Sequence, residues 1–197
     1  MASNKYISYF SLAGIVGPIF AISLVFIDVA VSPWFTWQHN ALSDLGVHPY
    51  GYLFNLGIIV EGFLNVLFVM ALFEIGLKKR IGALLIISGI ALALVGVFNE
   101  DHPPYHLIFA LIYFLLFPIG IIVASIPRLF PFYVKLYSML ASILSLIDIF
   151  IGIGFVFKFI SIKNVGLSIP EIIEALLLGS WSVLVSVYAF RKLRINR

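Results

Sequence analysis

The stretch N-E-D-H-P-P-Y-H at 99–106 places two acids and two histidines within eight residues. A second stretch, A-L-S-D-L-G-V-H at 41–48, adds a serine, an aspartate and a histidine. Neutral imidazoles and carboxylates are ligands for a divalent metal such as zinc, which can activate water. Asp44, His48, Asp101, His102 and His106 are the candidate donors. A hydroxyl near histidine and acid supports acyl transfer instead, with Ser43, Asp44, His48, Glu100 and His106 as candidates. No nucleophile-elbow sequence surrounds Ser43, which weakens that chemistry. A third use is anion binding, because His48-Pro49 and His102-Pro103 each precede an apolar run. Helix N-termini there would offer N–H groups, and protonated imidazoles can bind phosphate.

The same residues have plainer uses. Proline suits a first helical turn, so Pro103 and Pro104 are expected to open a helix capped by Asp101 or His102. The residue before proline avoids helical geometry, which leaves His102 outside that helix and His106 inside it. Ser43 or Asp44 can close a local turn, and Gly46 can take positive φ. S-I-P-E at 168–171 fits a capping box between Ser168 and Glu171. Trp34 and Trp37 fit an interfacial aromatic belt.

The elements that must hold these residues are set by composition. The chain has 197 residues, 62% of them hydrophobic, with 12 Lys and Arg against 9 Asp and Glu. A membrane span needs roughly 20 mainly apolar residues. Six stretches qualify: 7–31, 52–76, 81–98, 107–126, 136–157 and 171–190. Lipid leaves unpaired backbone groups without partners, so all six are expected to be helices of one all-α membrane bundle. The first has no short basic segment or small-residue cleavage site and reads as a retained span rather than a signal peptide. With no cysteine, the chain has no disulfide, thiol nucleophile or zinc-thiolate site. Walker and GxGxxG motifs are absent too.

Charge sets the expected orientation. Lys5, Lys78, Lys79, Arg80, Arg128, Lys135, Arg191, Lys192, Arg194 and Arg197 fall on one side, against Lys158 and Lys163 on the other. The positive-inside rule then places both termini in the cytoplasm of a multi-pass cell-membrane protein. The basic C-terminus reads as a topology anchor attracting anionic lipid, not as a nucleic-acid surface. All four histidines, His39, His48, His102 and His106, fall in or beside the outer connections. Glu61 and Asp148 lie within spans, each about 13 Å below the outer boundary at ~1.5 Å per residue. Glu61 and Asn65 are four apart and share a helix face. Acids at that depth face a bundle interior or a wet cavity. Glu61, Asn65 and Asp148 are therefore expected to line one polar pocket with Asp44 and His48.

A-L-S-D-L-G, then Pro49 and F-N-x-G at 54–57, then G-V-F-N-E and a downstream histidine resemble a prokaryotic integral-membrane family, domain of unknown function 998. The matched positions are Ser43, Asp44, Gly46, Asn55, Gly57, Glu100 and His106, and Asn99 stands where the family pattern implies proline. The Ser-Asp-x-Gly element is also similar, more remotely, to the damage-regulated autophagy modulator group. The first resemblance implies a six-helix membrane protein, adds Asn55 to the ligand-binding candidates, and implies no activity. Three functions are expected, in this order. One is a binding or accessory subunit with an outer-face site for a lipid headgroup or small amphiphile. Another is an outer-face metal-dependent hydrolase. The last is a proton or cation transporter using Glu61 and Asp148. Membrane lipids, and other membrane subunits for the first reading, are the expected partners.

Overall fold

The computed structural model describes residues 7–195, and every regular element among them is helical. Helices α1 (Ile7–Phe10) and α2 (Ala13–Val31) form the first span. A 3-10 turn follows at Ser43–Val47, then α3 (Tyr52–Glu74), α4 (Lys79–Val97), α5 (Pro103–Ser125), α6 (Phe132–Val156) and α7 (Ser168–Ile195). These helices supply six segments long and apolar enough to cross a membrane, as the hydropathy pattern predicts. The chain is a multi-pass membrane protein.

Each span packs against its neighbours in sequence, and α7 returns to α2, closing a ring. The ring is filled where large side chains meet at its centre. Trp181 of α7 is fully buried, with Phe68 of α3 and Phe117 of α5 edge-on to it at 6.0 and 5.7 Å. Its indole Nε1 donates to Ser138 Oγ of α6 at 2.8 Å, so the polar atom of the buried ring has a partner. Elsewhere small residues let backbones approach, the usual way spans associate in lipid. A Cβ on Gly62 of α3 would lie 2.5 Å from the Gly89 carbonyl oxygen of α4. The outer faces are apolar instead: Ile19, Phe63, Ile90, Ile108, Ile147 and Leu176 are all exposed, one from each span. Apolar residues all round a helix mark a membrane span rather than a surface helix.

The connections sort by chemistry. One end of the bundle carries residues 32–51, 98–102 and 157–167, with three histidines and His106 one turn inside α5. The opposite end carries Lys78, Lys79, Arg80, Arg128, Lys135, Arg191, Lys192 and Arg194. Lys5 and Arg197 lie outside the described residues. At this basic end Lys192 Nζ donates to the Ile75 carbonyl at 3.4 Å, covering a free oxygen at the C-terminus of α3. Span α6 runs unbroken through Gly152 and ends where the Phe159 and Ile160 N–H groups reach back to the Gly154 carbonyl.

Candidate functional site

The histidine end is an interlocked set of three connections. Ser43, in the 3-10 turn, donates to Glu100 Oε1 at 2.7 Å. Asn55 and Asn99 both donate to the Gly46 carbonyl, at 2.8 and 3.1 Å. The Leu42 N–H donates to Glu171 Oε2 of α7, and Ser43 Oγ lies 3.5 Å from Glu171 Oε1. The Ser168 N–H donates to the Asn40 carbonyl at 3.0 Å, and Ser168 Oγ donates to Trp37 oxygen at 2.9 Å. Residues 41–48 and 98–106 therefore meet, and the start of α7 joins them.

Beneath this lid a cavity of about 110 Å³ opens between α5, α6 and α7. Its polar lining is Ser43, Glu100, His106, Asp148, Glu171 and Glu174. Apolar walls come from Leu107, Leu111 and Phe114 of α5, and from Ile149, Ile153 and Val156 of α6. The polar groups descend into the bundle. Glu171 lies within the first turn of α7, Glu174 about 9 Å from its start, and Asp148 about 12 Å from the end of α6. Glu174 is 2% exposed; its Oε1 accepts from Ser145 Oγ at 2.5 Å, while Oε2 has no partner. Asp148, 8% exposed, makes no hydrogen bond with the described residues.

His106 has a defined proton arrangement. Its Nδ1 lies 2.9 Å from the Phe98 carbonyl oxygen, which can only accept, so Nδ1 carries hydrogen. Its Nε2 lies 3.3 Å from Glu100 Oε1. Ser43 is bonded to that same Glu100 oxygen and not to the imidazole. The carboxylate sits between hydroxyl and ring, whereas serine hydrolases put the ring between hydroxyl and carboxylate.

Several expected roles change. Asp44 Oδ2 accepts from Asn40 Nδ2 at 3.1 Å and from the Ala41 N–H at 2.9 Å, holding a local turn. His48 stacks on Trp34 with ring centroids 3.7 Å apart, and α3 begins only at Tyr52, so His48-Pro49 does not open that helix. Asp101 and His102 are exposed beside Asn99, whose Oδ1 accepts from the Asp101 N–H and lies 3.3 Å from His102 Nδ1. His102 occupies the N-cap of α5 without a side-chain cap bond. Of the expected metal donors Asp44, His48, Asp101, His102 and His106, only His106 lines the cavity. No group of three or more His, Asp or Glu among the described residues is placed to hold a metal ion.

Glu61 and Asp148 do not share a pocket. Glu61 and Asn65 line a separate void of about 10 Å³ with Gly14, Pro18 and Ser182. That void lies between α2, α3 and α7, because α3 and α6 stand on opposite parts of the ring. The capping box also fails: Ser168 and Glu171 each reach across to residues 37–43 instead of to one another. Glu171 and Glu174 therefore join the site, although neither was a candidate ligand. Their spacing of three on an apolar helix was the available signal, since it places both on one face.

Residues 15–188 match the family described as protein of unknown function (DUF998). The chain belongs to that family. No curated protein and no solved structure matches it. In this DUF998 chain the resemblance positions Ser43, Glu100 and His106 line the cavity, Gly46 and Asn55 bond to one another without lining it, and Asp44 holds a local turn. Asn99, where the resemblance implies proline, contributes its own bond to Gly46.

Proposed function

We propose that this DUF998 protein is a non-catalytic binding or accessory protein that takes a small amphiphile into the cavity between α5, α6 and α7. The carrying observation is the cavity's line of polar groups, running from the Ser43–Glu100 contact at its mouth down to Glu174 and Asp148, beside apolar walls on α5 and α6. Pockets with mainly apolar walls and a few convergent polar groups are the usual form of small-molecule sites. In this reading both termini are cytoplasmic, the histidine end faces outward from the cell membrane, and the ligand enters from that side. Membrane lipids or other subunits present the ligand or receive it. Catalysis is the weaker reading, because Ser43 has a carboxylate rather than a base with a free imidazole nitrogen beside it.

The test fills the cavity. A Cβ at Gly152 would have only Leu167 and Pro170 atoms nearby, both at 3.9 Å, so there is room to grow into the pocket. Gly152→Phe is expected to keep the fold and abolish photo-crosslinking of alkyl-chain probes to α5 and α6 in reconstituted membranes. Cavity-directed crosslinking equal to the parent protein would overturn the binding reading.

A further inference from the structure

We propose that the cavity takes a cationic head: the ammonium group of an amphiphilic amine, seated on Glu174 and Asp148, with its apolar body along α5 and α6. This rests on the amphiphile-binding reading above and names the ligand class. Four carboxyl groups line the cavity, from Glu100, Asp148, Glu171 and Glu174, and no Lys or Arg lines it. An acidic cluster alone would not identify a ligand. The independent observation is Asp148: its side chain lines the cavity, is 8% exposed and has no hydrogen-bond partner among the described residues. Native structures rarely leave a buried carboxyl without a donor, because an unmade bond there costs desolvation with nothing in return.

The missing partner must bring donors. Glu174, an electrostatic neighbour of Asp148 in the same lining, has a donor at Oε1 alone, so the pair can take further donors. An ammonium group carries three N–H donors and no acceptor. It would serve both acids and supply the opposite charge that buried carboxylates need. A phosphate or carboxylate head would add acceptors and like charge to a site already made of both. The second void, at Glu61, is about 10 Å³ and has room for no more than about one water. Only the larger cavity can hold an ammonium together with methylenes.

The ammonium could belong to a free amphiphilic amine or to an ethanolamine lipid headgroup. The full chain would be reconstituted in phosphatidylcholine nanodiscs, and binding of dodecylamine, dodecanol and dodecyl phosphate measured by native mass spectrometry. Dodecylamine is expected to bind at least tenfold more tightly than dodecyl phosphate. Glu174→Gln and Asp148→Asn are each expected to weaken the amine at least tenfold and to leave dodecanol within about twofold. Adding phosphatidylethanolamine then separates the sources: competition identifies the lipid headgroup, and no competition identifies a free amine. Equal or tighter binding of dodecyl phosphate, or an amine affinity unchanged in both variants, would overturn the cationic assignment while leaving amphiphile binding intact. Failure of all three probes would overturn both readings. If neither variant folds, the headgroup preference of the parent protein decides.

Discussion

Gly46 illustrates how a residue type can be recognised for the wrong reason. A glycine in A-L-S-D-L-G suggests positive φ, yet Gly76 is the sole glycine in that region among the described residues. What requires glycine at position 46 is space. A Cβ there would lie 2.6 Å from Asn55 Oδ1 and 3.2 Å from a Phe54 ring carbon. Asn55 is the side chain that ties α3 to the Gly46 carbonyl, so it cannot move without losing that bond. Gly46→Ala is therefore expected to destabilise the protein by about 1–3 kcal/mol, the usual cost of overpacking a tight contact. Gly152→Ala is the opposite case, with its new methyl at ordinary contact distance inside a continuous helix. It should be neutral or stabilising by about 0.5–1 kcal/mol, because alanine suits a helix better than glycine. Thermal unfolding in detergent would show both, as a lowered midpoint for the first and an unchanged or raised one for the second.

At the scale of elements, depth was legible and direction was not. A rise of ~1.5 Å per residue places Glu61 and Asp148 at one level from sequence alone. Which way each points depends on the neighbours its helix acquires, and those follow from the order of the ring. The histidines show the same limit. Local sequence brought all four to one end, but only His106 lies inside a helix whose face turns toward the cavity. Glu171 is hidden in the sequence by a local alternative, because S-I-P-E satisfies a capping box on its own. Asp28 shows the same limit. It sits near the end of α2, 1% exposed, and accepts from the Phe54 N–H of α3 at 3.2 Å and from Ser32 Oγ at 3.2 Å. Phe54 is in the first turn of α3, where N–H groups have no partner within the helix, and Gly51 at its N-cap offers no side chain. Asp28 thus caps a helix that begins more than twenty residues later in the chain. Asp28→Ala should cost about 1–3 kcal/mol, because the buried Phe54 N–H is left unpaired. Asp28→Asn, which keeps an acceptor oxygen, should recover most of that. Equal midpoints for the two variants would show that the cap contributes nothing.

At the scale of the whole molecule most basic residues gather at one end of the bundle, and the fold holds them there. Lys192 is held to the end of α3, and Arg194 lies over the Phe190 ring at 4.7 Å, so the basic residues of α7 are fixed at their end. The other end has Lys158 and Lys163 alone among the described residues. Basic residues resist translocation, so the end with Lys78, Lys79, Arg80, Arg128 and the α7 cluster is expected to stay in the cytoplasm. The chain has no cysteine, which allows single reporters without background. Thr36, Lys79 and Lys163 are all exposed, and they lie respectively at the histidine end, the basic end and the histidine end. In sealed cells, a membrane-impermeant maleimide should label Thr36→Cys and Lys163→Cys, and should reach Lys79→Cys only after lysis. The reverse pattern would put the cavity mouth in the cytoplasm. Ligand would then have to arrive from inside the cell, and the amine would be a cytoplasmic one or the headgroup of an inner-leaflet lipid.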